Sequence, residues 1–214
     1  MHLDHVSYVT SHEQLADTVQ RLGSRLGSTF VDGGVHPRFG TRNFTLPLQG
    51  GHYIEVVCPL DHPASDASPF GKAVSQRALE GGGWLTWVVS VDDLSGIETR
   101  LGRGSAEGHR KRPDGTDLCW KQIGILGTLK DAQLPYFIQW LSPEHPSTDG
   151  KAIAKIVKIE IAGYEKTITD WLGCDLANAI GNVDVVWISP EENDGESGIV
   201  AVHLETPNGV VRLD

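Results

Sequence analysis

A carboxylate in the middle of an apolar strand is the first feature of this sequence that could do chemistry. Successive side chains of a strand point to opposite faces, so in the segment YIEVV, residues 53–57, Glu55 shares a face with Tyr53 and Val57. An ionised carboxylate that faces an apolar core is costly without a partner. We therefore expect Glu55 either to face solvent or to have a partner elsewhere in the chain.

Polar side chains are also concentrated in HPRFGTRN, residues 36–43. Gly40 permits a tight approach of the backbone, and the donors and acceptors that lead into the next strand are His36, Arg38, Thr41, Arg42 and Asn43. Two interpretations are open. These residues bind a ligand, or Thr41 and Asn43 form a local turn while His36 is exposed.

The elements that would position these residues follow the order β-α-β-β-β. LDHVSYV (3–9) has a strand pattern, and residues 11–27 repeat Leu and Val at helical spacing. STFVDGG, TRNFTLPL and HYIEVV predict three further strands. The order recurs in residues 84–146, after a predicted linking helix in 67–83.

An internal sequence match supports a duplication. YIEVVCP (53–59) and FIQWLSP (137–143) share an aromatic residue, Ile, Glu or Gln, two apolar residues, a small residue and Pro. This alignment places Gln139 at the position of Glu55. The domain boundaries that follow are 1–146 for a two-module domain, with modules 1–60 and 84–146.

Residues 151–214 predict a third, partial α/β module. IAKIVKIEIAG is a strand, YEKTITDWLG a short helix, and three later segments are strands, the last two turning at PNG. The acidic loop PEENDGESG is interpreted as an exposed hairpin connection. An odd module leaves an unpaired sheet edge that could meet a second copy of the chain, so a homodimer is considered.

Composition excludes several classes of function. With 214 residues, 39% hydrophobic and 21% charged, the chain is an ordinary globular protein. It shows no signal sequence or membrane-length apolar run, which predicts a cytoplasmic protein with no membrane partner.

A net charge of −10 disfavours nucleic acid as a partner, and HRKRPDG (109–115) is interpreted as a solvated turn. Three cysteines without CxxC spacing argue against a disulfide framework or thiolate zinc site. A nucleotide cofactor is not expected.

The motifs LDHV, HPRFGTRN, YIEVV and PYFIQW…HP, in this order, resemble the glyoxalase-like domain of the vicinal oxygen chelate superfamily. The resemblance covers residues 1 to about 146. It implies an α+β fold, in which paired β-α-β-β-β modules form curved mixed sheets around a cleft, with the third partial module at the C-terminus.

The resemblance also implies a divalent-metal site made by inward side chains of the first and last strands of each module. On this chain the implied ligands are His5, Glu55 and Gln139. The fourth place falls at Thr86 or Trp87, and neither is a good ligand. His5 and Glu55 can hold a cation of unknown identity, or they can form a hydrogen-bonded ion pair, and both readings remain open. Gln139 alone can equally satisfy neighbouring backbone.

Two functions follow. The leading one is a lyase or isomerase-type enzyme acting on a small oxygenated molecule, with Glu55 as base or ligand, His5 as ligand or acid–base group and Gln139 as an orienting amide. The predicted substrate-binding residues are His36, Arg38, Thr41, Asn43 and Trp87. The alternative is a non-catalytic small-molecule binding or sequestering protein with a cleft lined by aromatic residues: Trp84 or Trp87, Trp120, Phe137 and Trp140.

Overall fold

The computed structural model describes residues 1–214 and shows two successive modules that share one order of elements. The first contains β1 (His2–Val9), α1 (Leu15–Leu26), β2 (Val31–His36), β3 (Thr41–Pro47) and β4 (Tyr53–Pro59). Helices α2 (Pro63–Ala67) and α3 (Pro69–Leu79) link it to the second. The second contains β5 (Gly83–Ser90), α4 (Ser95–Leu101), β6 (Ala106–Lys111), β7 (Asp117–Ile123), α5 (Ile125–Thr128) and β8 (Tyr136–Trp140).

The eight strands of these modules close into one barrel in the order β1-β4-β3-β2-β6-β7-β8-β5. Within each module the first strand pairs in parallel with the last, β1 with β4 and β5 with β8. The modules join where β1 pairs with β5 and β2 with β6, both antiparallel. The predicted α+β fold of curved mixed sheets is therefore confirmed, and the strands enclose an interior.

Strand register shows which positions of the two modules correspond. On the parallel pairs, His5 lies opposite Tyr53 and Val88 lies opposite Tyr136, so Val88 is the counterpart of His5. The counterpart of Glu55 is Ile138, two residues after Tyr136. The expected alignment of YIEVV with FIQWL is thus wrong by one residue, and YIEVV corresponds to YFIQW. Since a one-residue slip reverses every side chain of a strand, Gln139 lies on the outer face.

The stretch HRKRPDG (109–115) was predicted to be a solvated turn, and this is wrong for its first half. Strand β6 continues to Lys111 and pairs with β7. Side chains alternate along it, so that Arg110 is buried while Lys111 is exposed. Only the residues that follow, at 113–115, form the turn. The high charge density of the segment favoured a turn in the sequence analysis, but the segment is the end of a strand in which Arg110 points inward.

The third module contains β9 (Lys155–Ala162), α6 (Glu165–Leu172), α7 (Leu176–Ile180), β10 (Asp184–Ile188), β11 (Gly198–Thr206) and β12 (Gly209–Leu213). Its sheet order is β10-β9-β11-β12. Because β9 lies between β10 and β11, the acidic loop between those strands is not the expected hairpin connection. It contains a short 3₁₀ helix, Pro190–Asn193.

One apolar core continues from the barrel into the third module. It contains Leu3 and Trp87 from the barrel and Ile156, Ile159 and Leu204 from the third sheet. The indole of Trp84 donates to the Leu213 carbonyl at 3.1 Å. No helix of the chain is long and apolar enough to cross a membrane.

Candidate active site

The interior of the barrel contains a cavity with one polar and one largely aromatic wall. The first module contributes His5, His36, Phe39, Asn43, Tyr53 and Glu55. The linking helix α3 contributes Phe70, and the second module contributes Arg110, Trp120, Gln122, Tyr136, Ile138 and Trp140. The two related modules therefore line the cavity with different chemistry, because Val88 and Ile138 replace His5 and Glu55.

His5 is held by a buried carboxylate next to it in the chain. Between Leu3 and His5 the pairing of β1 with β5 skips Asp4, and such a bulge redirects a side chain. Asp4 Oδ1 lies 2.6 Å from His5 Nδ1. Asp4 Oδ2 accepts from Trp140 Nε1 at 3.0 Å and lies 3.2 Å from His145 Nε2. Burial alone would raise the pKa of Asp4, but the hydrogen bonds from His145 and His5 hold it well below its usual range.

Glu55 points into the cavity, and each of its carboxylate oxygens accepts a hydrogen bond there. Ser7 Oγ donates to Oε2 at 2.7 Å, and Asn43 Nδ2 donates to Oε1 at 2.7 Å. His5 Nε2 is 3.8 Å from Oε2. Burial works to raise the pKa of Glu55, but the charges of His5 and His36 and the two hydrogen bonds lower it below 4.5. Glu55 is therefore ionised at neutral pH, which answers the question raised by its position mid-strand.

A second imidazole and a guanidinium lie on neighbouring strands β2 and β6. His36 Nδ1 is 2.9 Å from Thr41 Oγ1, and burial lowers the pKa of His36 from 6.5 to about 4, so it is neutral at pH 7. Arg110 Nη1 donates to Asn43 Oδ1 at 3.0 Å. Asn43 thereby connects Arg110 to Glu55.

Two tyrosines complete the polar side of the cavity. Tyr53 stacks on His5 with ring centroids 4.3 Å apart, and Tyr136 meets His5 edge-on at 6.3 Å. Burial raises the pKa of both phenols well above 10, so both hydroxyls remain protonated donors. The cavity volume is about 20 Å³, room for about one water molecule. A larger ligand therefore requires the lining side chains to move, and Trp140 is the only lining residue that is not fully buried.

Comparison with known proteins agrees with this architecture. The model of the glyoxalase-like domain matches residues 3–172, which is most of the chain. The chain belongs to the glyoxalase-like domain family. The resemblance seen in the sequence is therefore confirmed, and the family match extends beyond residue 146. No curated protein matches the sequence.

Several solved structures are similar to this chain at low sequence identity. A hypothetical protein from Staphylococcus aureus is 16% identical, with 99% of this chain and 85% of that chain covered and a TM-score of 0.60. Methylmalonyl-CoA epimerase from Mycobacterium tuberculosis is 19% identical, with 65% and 86% covered and a TM-score of 0.42. A hypothetical protein from Bacillus halodurans is 16% identical, with 67% and 95% covered and a TM-score of 0.44. The first of these spans all three modules.

The family fold is associated with divalent metals, but the donors of this chain do not fit a metal held by three or more protein ligands. Of the three implied ligands, His5 and Glu55 lie side by side on the paired strands β1 and β4, with Nε2 and Oε2 3.8 Å apart, whereas Gln139 lies outside the cavity. Val88 and Ile138, at the matching positions of the second module, have no donor atom. No group of three His, Cys, Asp or Glu side chains is arranged to hold a metal ion.

The structure separates the other predicted site residues into two groups. His36 and Asn43 line the cavity. Thr41 does not line it, but its hydroxyl contacts the His36 ring. Arg38 is exposed, and Trp87 lies in the core with its indole donating to the Gln133 carbonyl at 3.0 Å. Gln139 Nε2 donates to the Asp92 carbonyl at 2.9 Å, and its Oε1 accepts from Leu94 N at 3.4 Å, so it satisfies backbone groups.

Several cavity or supporting residues were not predicted, among them Asp4, Arg110, Gln122 and Tyr136. Parity along β7 and β8 would have found Gln122 and Tyr136 once the register was known, because they share a face with Trp120 and Trp140. Asp4 carries no such signal, since its orientation depends on the bulge.

Proposed function

We propose that this chain is an isomerase or lyase-type enzyme that moves a proton on a small oxygenated molecule bound in the barrel cavity. The observation that supports it is the buried array Asp4–His5–Glu55. Two carboxylates flank one imidazole in a site closed from bulk water, and such arrangements are typical of acid–base catalysis.

In this proposal His5 is the proton acceptor. Because the ionised Asp4 accepts from Nδ1–H, the bare nitrogen of His5 is Nε2, which faces the cavity. Nε2 takes a proton from a carbon next to a carbonyl, and the electron pair of the C–H bond moves onto the carbonyl oxygen as an enolate. Returning this proton from Nε2 to another atom of the enolate on the same face gives an isomer and restores His5.

Glu55 has a different role in this scheme. Its lowered pKa makes it a weak base, but its charge stabilises the imidazolium that forms on His5 3.8 Å away. Tyr53 and Tyr136 remain protonated and can donate to an enolate oxygen.

A test of this function measures proton exchange directly. The protein is incubated in D₂O with small 2-oxo and 2-hydroxy acids and their esters and thioesters, and loss of the C–H signal is followed by NMR. We expect exchange with at least one compound and a decrease of about 100-fold or more in His5→Gln. Glu55→Gln should slow exchange less, since it removes charge stabilisation and leaves the base.

His12→Gln serves as the matched control, because His12 is exposed and remote from the cavity. Its exchange rate should equal that of the wild type. Saturable binding of a compound without any exchange would instead support the non-catalytic binding protein, for which the aromatic wall of Trp120 and Trp140 is the relevant feature.

A further inference from the structure

Arg110 is the only Lys or Arg side chain that lines the cavity, and it is incompletely paired. The residue is 1% exposed. Nη1 donates to Asn43, but Nη2 has no hydrogen-bond acceptor. The nearest carboxylate atom that pairs with it, Asp149 Oδ2, is 3.9 Å from Nη2. Asp149 is already engaged by two hydrogen bonds from Arg112 Nη2.

The fold makes room for this guanidinium at a defined place. Gly33 lies on β2 beside Arg110, and a Cβ atom there would lie 1.9 Å from Arg110 Nη1 and 2.0 Å from Asn43 Oδ1. Any side chain at position 33 would therefore break the contact between Arg110 and Asn43. Arg110 is held in position, and its buried Nη2 group lacks an acceptor.

We propose that Arg110 Nη2 is an anion subsite and that the substrate is a short-chain carboxylate. This inference rests on the proposed function and names its substrate class. A buried cation without a full partner is costly, and a carboxylate supplies both the missing acceptor and the missing charge through a charge-assisted hydrogen bond. A neutral amide or ester oxygen supplies the acceptor alone.

The position of the subsite also orients the substrate. Asn43 bridges Arg110 and Glu55, so one amide side chain separates the anion subsite from the proton-transfer pair. A carboxylate bound at Arg110 thus directs the rest of a small molecule toward His5 and Glu55. The neighbouring Tyr53 hydroxyl, which stays protonated, is a second donor to a carboxylate oxygen.

The test compares a charged and a neutral ligand of the same shape. Binding of lactate, lactamide and inorganic phosphate is measured from the shift of the unfolding midpoint with ligand concentration. We expect wild type to bind lactate at least about ten-fold more tightly than lactamide and phosphate, and Arg110→Gln to lose that preference. Asp149→Asn should bind lactate more tightly, because it removes a competing anion near Nη2.

Lys111→Gln is the matched control, since Lys111 is the next residue of β6 and points outward; its lactate affinity should be unchanged. If Arg110→Gln does not fold, the preference for lactate in wild type and its increase in Asp149→Asn still decide the proposal. Equal binding of lactate and lactamide, preferred binding of phosphate, or no binding of lactate would overturn the subsite. Exchange of neutral esters at full rate would leave the proposed function intact while removing the carboxylate requirement. Selective lactate binding without exchange of any compound would leave the anion subsite intact and contradict the proposed function.

Discussion

At the residue scale, the cavity keeps two carboxylates ionised although both are buried. Asp4 accepts from Trp140 and contacts two imidazoles, whereas Glu55 accepts from Ser7 and Asn43 and faces His5. These contacts outweigh the cost of removing the charges from water, so the pKa of each group is lowered. For His36 the cost of burial is the larger effect: it lowers the pKa of the imidazole more than the charge of Glu55 raises it, so His36 is neutral at pH 7.

The neutral state of His36 predicts how stability changes with pH. Its pKa is about 4 in the native protein against 6.5 as the reference, so the unfolded chain binds more protons between these values. Stability contributed by His36 is present above pH 6.5 and is lost as the pH falls toward 4, by about 3 kcal/mol. Urea unfolding of wild type and His36→Gln at pH 7, 6 and 5 measures the part of this loss that falls above pH 4.5.

The free energy of unfolding should change less steeply with pH in His36→Gln than in wild type. In His12→Gln it should change as steeply as in wild type. Asp4 and Glu55 also lose their charge-dependent stability as the pH falls below their reference values, 3.8 and 4.5. The comparison is therefore made above pH 4.5. Identical slopes for wild type and His36→Gln in that range would show that the pKa of His36 is not lowered in the native state.

At the element scale, a bulge in β1 places the Asp4 carboxylate against the His5 imidazole. The skipped residue Asp4 reaches His5 on the same strand, Trp140 on β8 and His145 in the connection that follows β8. One carboxylate thus ties together both modules and the segment beside the partly exposed Trp140. Bulges commonly aim side chains in this way near active sites.

We predict that Asp4→Asn acts on positioning. The amide keeps one acceptor but replaces the second with a donor, so either His5 or the pair Trp140 and His145 loses its partner. We expect a loss of about 1–3 kcal/mol in stability and at least about a ten-fold decrease in proton exchange. Urea unfolding and the pH profile of exchange measure the two effects.

Asp61→Asn, at an exposed position before α2, is the control and should change neither quantity. The pH profile separates positioning from a general loss of structure, because the apparent pKa of the group that accepts the proton should change in Asp4→Asn. An unchanged profile together with lowered stability would assign Asp4 a purely structural role.

At the scale of the whole molecule, the third module is part of the same folded unit as the barrel. Besides the shared core, Arg100 on α4 donates to the carbonyls of Trp171 and Leu172 at 2.8 Å and 3.0 Å. Tyr164 N donates to Gln133 Oε1 at 2.8 Å. Removing residues 151–214 would expose apolar surface of β1 and β5 to water.

We therefore predict one cooperative unfolding transition for the full chain. Under native conditions a protease should not release a stable fragment of residues 1–150 before global unfolding, because the linking segment is held by the Arg112–Asp149 and Asp4–His145 contacts. Limited proteolysis across a urea gradient, followed by mass spectrometry, checks this. The same digestion in high urea is the control for cleavable sites. Early loss of the third module from an otherwise folded barrel would contradict docking.

The amino-acid sequence alone determined the type and order of most elements. Alternating apolar residues predicted β1, β4 and β5, helical spacing predicted α1, and their recurrence predicted two related modules. Glu55 was identified because a carboxylate in an apolar strand requires a partner. Local periodicity carries these features, since burial of one face selects the residue pattern.

The tertiary structure decided which side chains meet. Register placed Ile138, and not Gln139, on the cavity face of β8 together with Tyr136 and Trp140, because a one-residue slip in a strand reverses its faces. The bulge turned Asp4 toward His5, and barrel closure buried Arg110 beside Asn43, more than sixty residues away in sequence. Such contacts depend on strand pairing between distant segments, and residue type and local spacing do not encode that pairing.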